Sequence, residues 1–184
     1  MAAGAVLTGG ASRRMGSDKA LLEVDGVPMG TRVAEAMISA RCEPVVFVGG
    51  EASSLAALGG RVVRDVAPGE GPVGGVMTAL RALGGEADVV VIASCDLPFL
   101  TAAHLLPLID RASNAVDVDV VVARSDRLQP LCAVWRTSAL PAVEAAFETG
   151  ERTMHRLLRR LRIAEMPVDV GAVRNINTLD DLDQ

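Results

Sequence analysis

A glycine-rich, basic segment directly follows the first apolar run of the chain and occupies residues 7–19. Glycines there let the backbone approach a ligand closely and turn its N–H groups towards phosphate oxygens. Two of them are adjacent, at Gly9 and Gly10, and cations accompany them at Arg13, Arg14 and Lys19. A triphosphate needs such cations, because negative charge builds on pyrophosphate as its bond breaks. The segment therefore predicts a phosphate-binding loop, and the alternative is a tight surface turn with a solvated basic patch.

The spacing of this segment differs from two familiar phosphate-binding patterns. It contains neither Gly-x-x-x-x-Gly-Lys-Ser/Thr nor Gly-x-Gly-x-x-Gly. Lys19 is the only lysine among the 18 basic residues. A coding bias towards arginine explains the other basic positions, and retention of lysine at this one favours a need for a compact ammonium group.

A carboxylate follows the most apolar run of the chain, residues 89–93, at Asp96. Magnesium in proteins is held by one or two carboxylates together with phosphate oxygens and water, so an aspartate just past a buried strand suits it. An aspartate that begins a turn before Pro98 is an equally good interpretation of the position alone.

A second glycine-rich stretch, Gly69–Gly74, matches the Gly-x-Gly-x-x-Gly pattern of dinucleotide-binding folds. That pattern would make the chain a nicotinamide-dependent oxidoreductase. The match follows the third predicted strand rather than the first, and several residues separate it from the end of that strand at Arg64. Both features oppose the dinucleotide interpretation.

Short β-branched runs alternate with helical patterns and must position these groups. The predicted strands are residues 5–7, 45–48, 62–63, 89–93, 118–123 and 131–135. The predicted helices are residues 29–41, 73–83, 101–112, 138–148 and 152–161. This alternation predicts a doubly wound, Rossmann-like α/β fold with a mostly parallel sheet. The connection from Arg124 to Pro130 suits a hairpin, so one antiparallel strand is expected.

The composition limits the class of protein. A chain of 184 residues with 50% hydrophobic and 22% charged residues fits a single domain, residues 1–184. Aromatic residues make up 2% and the net charge is -5, which argues against nucleic acid as a partner. No apolar run is long enough to span a bilayer. The cysteines, Cys42, Cys95 and Cys132, form no Cys-x-x-Cys pair, so a reducing cytoplasm is the expected setting.

Residues 7–19 read Leu-Thr-Gly-Gly-Ala-Ser-Arg-Arg-Met-Gly-Ser-Asp-Lys. This resembles the signature of small nucleotidyltransferases, most closely that of the molybdenum cofactor guanylyltransferases, Leu-Ala-Gly-Gly-x-Ser-x-Arg-Met-Gly-x-Asp-Lys. Thr8 in place of alanine is a departure at a position of backbone contact. The pair Gly9-Gly10 favours the guanylyl branch, because the related cytidylyltransferases more often carry Ala-Gly there.

Further motifs follow in the order of the same family. The Asp-x-Pro at Asp96 resembles its metal-binding motif, and the stretch from Asp65 resembles a segment whose aspartate contacts the base or ribose. Gly50 stands where relatives can carry asparagine, so a contact there would use the backbone only. Gln129-Pro130 resembles the polar-Pro segment near the acceptor. Residues 175–182 resemble the ending Asn-x-Asn-Thr-Pro-Glu-Asp-Leu, with leucine at 179 in place of proline.

The resemblance implies a cytoplasmic, Mg²⁺-dependent guanylyltransferase that transfers GMP from GTP to the phosphate of molybdopterin and releases pyrophosphate. The implied catalytic residues are Lys19, Arg14 and Asp96, with Asp96 as the metal ligand. The implied nucleotide-binding residues are Leu7, Thr8, Gly9, Gly10, Lys19, Gly50, Asp65 and Asp96. The implied acceptor-binding residues are Gln129, Asn175 and Asn177. Maturation proteins of molybdoenzymes are further expected partners, whereas nucleic acid and membranes are not.

Other functions remain open at this point. A molybdopterin cytidylyltransferase, or another small-molecule nucleotidyltransferase, would have the same fold and a different base preference. A dinucleotide-dependent oxidoreductase would use Gly69–Gly74 and bind NAD(P)H. A non-catalytic nucleotide-binding partner of the cofactor insertion machinery would bind nucleotide without releasing pyrophosphate.

Overall fold

Strands make up the centre of the protein in a computed structural model that describes residues 1–9, 19–50, 52–55, 58–178 and 181. They are β1 (Ala2–Leu7), β2 (Glu23–Val24), β3 (Val27–Pro28), β4 (Val45–Val48), β5 (Arg61–Val63), β6 (Val89–Ser94), β7 (Val120–Arg124), β8 (Leu128–Arg136) and β9 (Ile163–Pro167). Within the described residues, seven of these strands form one sheet in the order β5-β4-β1-β6-β8-β7-β9, and β2 pairs with β3 in a separate hairpin.

The sheet is parallel except around β8. β1 pairs in parallel with β4 and β6, β4 with β5, and β7 with β9. β8 runs antiparallel to both β6 and β7, and a bulge between Val122 and Ala123 shifts its register with β7. The predicted α/β fold with a mostly parallel sheet and one antiparallel strand is therefore confirmed, as is the hairpin that precedes that strand.

Helices cover both faces of the sheet. They are α1 (Met29–Ser39), α2 (Ala52–Leu55), α3 (Pro72–Leu83), α4 (Ala102–Asn114), α5 (Leu140–Glu148) and α6 (Met154–Leu158). Residues of α1 and α4 pack with Val6 and Val91 in one core cluster. Residues of α3, α5 and α6 pack with Ala5, Val90 and Ile92 in a second cluster on the opposite face. Successive strand residues point to opposite faces, which explains why β1 and β6 are apolar throughout.

Strands β2, β3 and β9 and the short helix α2 were not predicted from the sequence, and one predicted helix is shorter than expected. β9 was not predicted, because its residues alternate between exposed and half-buried without an apolar run. The β2–β3 hairpin was not predicted either, since its strands are only two residues long and its turn uses positive φ at Asp25 and Gly26. The predicted helix over residues 152–161 is shorter, because the Glu151 carboxylate accepts the N–H groups of Arg152 and Thr153 before α6 begins.

The strand register brings the site loops together. Leu7, the last residue of β1, is paired with Val48 of β4 and with Ser94 of β6. The loops that follow these three strands therefore start from one line across the sheet, at the carboxyl edge where α/β proteins bind ligands. β8 runs the opposite way, so its first residues reach the same edge.

None of the described helices is both long enough and apolar enough to cross a membrane.

Candidate active site

Three polar side chains from distant parts of the chain meet at this edge. The Lys19 ammonium donates hydrogen bonds to Asp96 Oδ2 at 3.0 Å and to Asn177 Oδ1 at 2.7 Å. The Lys19 and Asp96 side chains are only 15% and 16% exposed, whereas Asn177 is exposed. The predicted catalytic lysine, the predicted metal ligand and a predicted acceptor-binding asparagine thus form one contact, which we call the polar triad.

Each member of the polar triad lies on a short, fixed segment. Lys19 begins a 3₁₀ turn, Lys19–Leu21, and Ala20 in that turn is fully buried. A Cβ at Gly30 of α1 would lie 3.2 Å from the Ala20 carbonyl oxygen, so glycine there lets the turn approach the helix. Asp96 follows β6, and its carbonyl accepts the N–H of Ile176 at 3.0 Å. That bond brings Asn177 alongside the carboxylate.

The second oxygen of the Asp96 carboxylate lacks a donor among the described residues. Oδ1 is buried and accepts no hydrogen bond from the part of the chain that the structure describes. A buried carboxylate oxygen without a partner is unfavourable, and a bound cation would satisfy it. No group of three or more His, Cys, Asp or Glu side chains suited to a metal occurs among the described residues. Asp96 fits the kind of metal site in which a ligand's oxygens and water complete the coordination.

The glycines after β1 and β4 bring two of the loops into contact. Thr8 is buried, its N–H donates to Val48 O at 2.9 Å, and its hydroxyl lies 3.0 Å from the carbonyl oxygens of Val48 and Gly49. The Gly9 N–H also donates to Val48 O, at 3.3 Å. These two amides are therefore occupied within the protein, so Thr8 and Gly9 shape the loop rather than present N–H groups to a ligand.

The other predicted nucleotide-binding residues differ in their burial and in their contacts. The Leu7 side chain is 6% exposed and belongs to the core, while its carbonyl accepts the Cys95 N–H at 3.1 Å. Gly50 is exposed at the same edge and has a φ of 72°. Gly10 and Arg14 lie outside the described residues, and so does the rest of the predicted phosphate-binding loop before Lys19.

Asp65 lines a cleft of about 490 Å³ together with Arg64, Val66 and Pro68. Its Oδ1 accepts hydrogen bonds from Ala67 N at 3.0 Å and from Thr78 Oγ1 at 2.9 Å. Thr78, which is 1% exposed, also accepts the Val66 N–H. Thr78 was not among the predicted residues, although a lone threonine on the apolar face of a predicted helix is a signal that a polar partner lies beneath it.

The two remaining predicted acceptor-binding residues do not contact the polar triad. Gln129 lies near the start of β8, and its Nε2 donates to Ser125 Oγ at 2.9 Å within the hairpin. Asn175 is exposed and precedes the buried Ile176. Asn175 and Asn177 are thus both exposed while the residue between them is buried, the alternation that an extended backbone produces.

Arg152 is a further residue whose structural role sequence analysis did not identify. Its Nε donates to Glu70 Oε2 at 2.6 Å, and its guanidinium lies 3.7 Å from the centre of the Phe147 ring. Gly71, with a φ of 85°, would place a Cβ 3.0 Å from Arg152 O. Arg152 therefore joins the glycine stretch before α3 to the turn between α5 and α6.

The cysteines contribute no nucleophile that the structure can identify. Burial raises the pKa of the Cys42 and Cys132 thiols to about 12. A thiol with so high a pKa stays protonated at neutral pH and is a poor nucleophile. Cys95 is also buried.

Residues 4–166 match the family described as the MobA-like NTP transferase domain. The chain belongs to this family. The nucleotidyltransferase family predicted from residues 7–19 is therefore confirmed. The match also removes the ground for the oxidoreductase interpretation, because Gly69–Gly74 of a MobA-like domain follows the edge strand β5 and leads into α3 at Pro72.

Individual MobA-like relatives cover most of the chain. A protein of Opitutus terrae named probable molybdenum cofactor guanylyltransferase is 33% identical over 190 residues, which span 99% of this chain and 93% of that protein. A protein of Mycobacterium tuberculosis H37Rv with the same name is 38% identical over 161 residues, spanning 85% of this chain and 78% of that protein.

A solved structure resembles the whole chain. It is the molybdopterin-guanine dinucleotide biosynthesis protein A of Archaeoglobus fulgidus, which superposes with a TM-score of 0.78 at 29% identity. The alignment covers 100% of this chain and 95% of that protein. The nucleotidyltransferase form of the α/β fold is confirmed by this likeness.

Proposed function

We propose that this protein is a molybdenum cofactor guanylyltransferase, which transfers GMP from GTP to the terminal phosphate of molybdopterin. The observation that carries the proposal is the contact of Lys19, Asp96 and Asn177 at the carboxyl edge of the sheet in a MobA-like domain. The relatives named as guanylyltransferases, at 33% and 38% identity, support the choice of GTP and molybdopterin as substrates.

The reaction is a substitution at phosphorus. An oxygen of the molybdopterin phosphate attacks the α-phosphorus of GTP, the bond from that phosphorus to the β-phosphate oxygen breaks, and pyrophosphate leaves. The attacking phosphate is already ionised at neutral pH, so no strong general base is needed. Catalysis then depends on positioning and on stabilising negative charge. The Lys19 ammonium, at the polar triad, is suited to the second task, and Arg14 is its proposed companion.

The proposed metal ion is Mg²⁺, with Asp96 as its protein ligand. The buried Oδ1, which lacks a donor among the described residues, and the exposed approach beside Asn177 support this choice. Magnesium bound there would supply a positive charge shared between phosphate oxygens. The contribution of the chain is to hold the carboxylate at the sheet edge and to keep Lys19 beside it.

The two substrates bind to different halves of one domain, residues 1–184. The N-terminal half binds GTP through Lys19, Gly50, Asp65 and Asp96, and through the loop that Leu7, Thr8 and Gly9 shape and Gly10 continues. The C-terminal half binds molybdopterin through Gln129, Asn175 and Asn177. The hydrogen bond from Lys19 to Asn177 joins the two halves, so the lysine lies where the transferred phosphorus would pass from one substrate to the other.

We further propose a cytoplasmic location, supported by the three cysteines, which are all free thiols as is usual in a reducing compartment. The product, a guanine dinucleotide carrying the pterin, would then pass to maturation proteins of molybdoenzymes.

The test is a turnover assay with metal-loaded molybdopterin, Mg²⁺ and either GTP or CTP, in which dinucleotide product and pyrophosphate are both measured. We expect product with GTP and Mg²⁺ and none after Mg²⁺ is removed by a chelator. Asp96→Ala should abolish turnover while circular dichroism stays that of the folded protein. Asp117→Ala, at an exposed aspartate between α4 and β7, is the matched control and should leave turnover unchanged.

Each other outcome has a definite meaning. Product with CTP alone would mean that the protein is a cytidylyltransferase with the same fold. Full activity of the Asp96→Ala variant would contradict the proposal that Asp96 is the metal ligand. A folded protein that gives no product with either nucleotide would contradict the proposed reaction.

A further inference from the structure

A small apolar cluster lies beside the polar triad and is separate from the two main core clusters. Val24, Met29 and Ile176 are 3%, 0% and 1% exposed, and the half-buried Leu22 and Phe99 pack against them. We call these five side chains the satellite cluster. Its members come from the turn after Lys19, strand β2, the start of α1, the loop that contains Asp96 and the C-terminal segment.

The satellite cluster and the polar triad share the same three chain segments. Leu22 closes the turn that begins at Lys19, because its N–H donates to Lys19 O at 3.2 Å. Phe99 lies three residues after Asp96 in the loop between β6 and α4. Ile176 directly precedes Asn177 and donates its own N–H to Asp96 O at 3.0 Å. Each functional side chain is therefore anchored by an apolar neighbour in the same cluster.

Two arginines bind the same segments from outside. Arg32 of α1 donates to Val24 O at 3.0 Å and to Pro98 O at 3.1 Å, which joins the β2–β3 hairpin to the Asp96 loop. The Arg174 guanidinium lies 4.9 Å from the centre of the Phe99 ring, so it covers the outer side of the satellite cluster. Apolar packing and backbone hydrogen bonds thus act on one small region.

We propose that Ile176 is a positioning residue, whose buried side chain fixes the relative positions of Lys19, Asp96 and Asn177. It is the one point of the satellite cluster that is both fully buried and adjacent in sequence to a triad member. Truncation of Ile176 removes the packing that holds the C-terminal segment against the Asp96 loop. A displacement of about 1 Å in a site that works by positioning lowers turnover by about 100-fold.

The kinetic part of this inference rests on the proposed function, so the experiment includes a measurement that needs no substrate. Lys19 is the only lysine of the chain. Lysine labelled with ¹³C at Cε therefore gives a single side-chain NMR signal that reports the surroundings of the Lys19 ammonium. Ile176→Ala is compared with the conservative variant Ile176→Val and with Leu83→Ala. Leu83 is 0% exposed and Ile176 is 1% exposed, so the two side chains are matched in burial. Leu83 is the last residue of α3 and belongs to another core cluster.

We expect Ile176→Ala to move the Lys19 Cε signal towards that of a solvated lysine and to lower kcat by about 100-fold. Ile176→Val should keep the wild-type signal and stay within about threefold of wild-type kcat, since it retains most of the packed volume. Leu83→Ala should lose thermal stability to a similar degree as Ile176→Ala, because both leave a cavity. Its Lys19 signal and kcat should match those of the wild type.

The inference is overturned by an unchanged Lys19 signal in folded Ile176→Ala, or by equal changes in Leu83→Ala. If Ile176→Ala does not fold, Phe99→Leu truncates the half-buried edge of the same cluster, and the same two measurements decide. If the wild type gives no product, the proposed function fails, and the NMR comparison still decides whether Ile176 positions Lys19.

Discussion

The hydroxyl of Thr78 holds the carboxylate of Asp65 at the cleft that we propose binds the nucleotide. It lies 2.9 Å from Asp65 Oδ1 and 2.8 Å from Gly74 O, and it accepts the Val66 N–H at 3.1 Å. One hydroxyl thus satisfies an amide, holds a carboxylate and contacts the first turn of α3. Thr78 is 1% exposed, so its hydroxyl depends on these protein partners rather than on water.

We therefore predict that Thr78→Val keeps the shape of the side chain but loses about 1–3 kcal/mol of unfolding free energy, since the Val66 N–H loses its partner. The KM for GTP should rise by about tenfold, equivalent to about 1.4 kcal/mol, because Asp65 is no longer held in one orientation. Urea unfolding and steady-state kinetics measure the two effects.

Thr78→Ser is the control for this prediction. It keeps the hydroxyl and removes a methyl group, so the KM for GTP should stay near that of the wild type while stability falls modestly. An unchanged KM in Thr78→Val would mean that Asp65 does not depend on Thr78, or does not bind the nucleotide.

At the scale of elements, the site depends on close contact between the loops that follow β1 and β4. Gly49 has a φ of 82°, and a Cβ there would lie 3.0 Å from the backbone N and Cα of Gly9. The Gly49 N–H donates to Val63 O, so the same loop is also joined to β5. Side chains are disfavoured at such a φ, and the contact with Gly9 leaves no room for one.

Gly49→Ala should accordingly lower the free energy of unfolding by about 1–3 kcal/mol and weaken GTP binding, because strain and displacement act together at the loop. Isothermal titration calorimetry with GTP and thermal unfolding test this. Gly59→Ala is the matched control, since Gly59 also has a positive φ, 73°, but open space around its Cβ position. It should lose stability and keep the affinity for GTP; equal loss of affinity in both variants would contradict the role of the loop contact.

For the whole molecule, carboxylates that are bound in the folded state make stability depend on pH. The hydrogen bond from Arg162 lowers the pKa of Asp119 below its usual 3.8. The Thr153 N–H lowers the pKa of Glu151 below 4.5, and the Thr178 N–H lowers that of Asp181 below 3.8. Each folded-state pKa is depressed, so the unfolded chain takes up protons first as the pH falls.

The free energy of unfolding should therefore be nearly constant above about pH 5 and should fall as the pH drops through about 4 and below. Urea unfolding at a series of pH values measures this profile. Asp119→Asn removes the charge that pairs with Arg162, at 2.6 Å, and should flatten the decline. An unchanged decline in that variant would show that Asp119 contributes nothing to the acid sensitivity.

Much of the fold followed from local pattern. The apolar runs that became β1, β4 and β6 are buried on both faces, so their composition alone indicated central parallel strands. The short connection before β8 indicated the antiparallel strand. β9 was not predicted, because an edge strand with exposed residues shows little apolar pattern in the sequence. Its position is determined by its pairing with β7.

The sequence by itself determined the fold class, the family and the identity of Lys19, Asp96 and Asn177 as candidate residues, because these depend on residue types and their order. The tertiary structure alone decided that these three touch, that Oδ1 of Asp96 is left without a donor among the described residues, and that Thr8 and Gly9 use their amides internally. The reason is physical: contacts between residues 19, 96 and 177 arise from strand register and from packing around Ile176, and no local pattern in the chain encodes such distances.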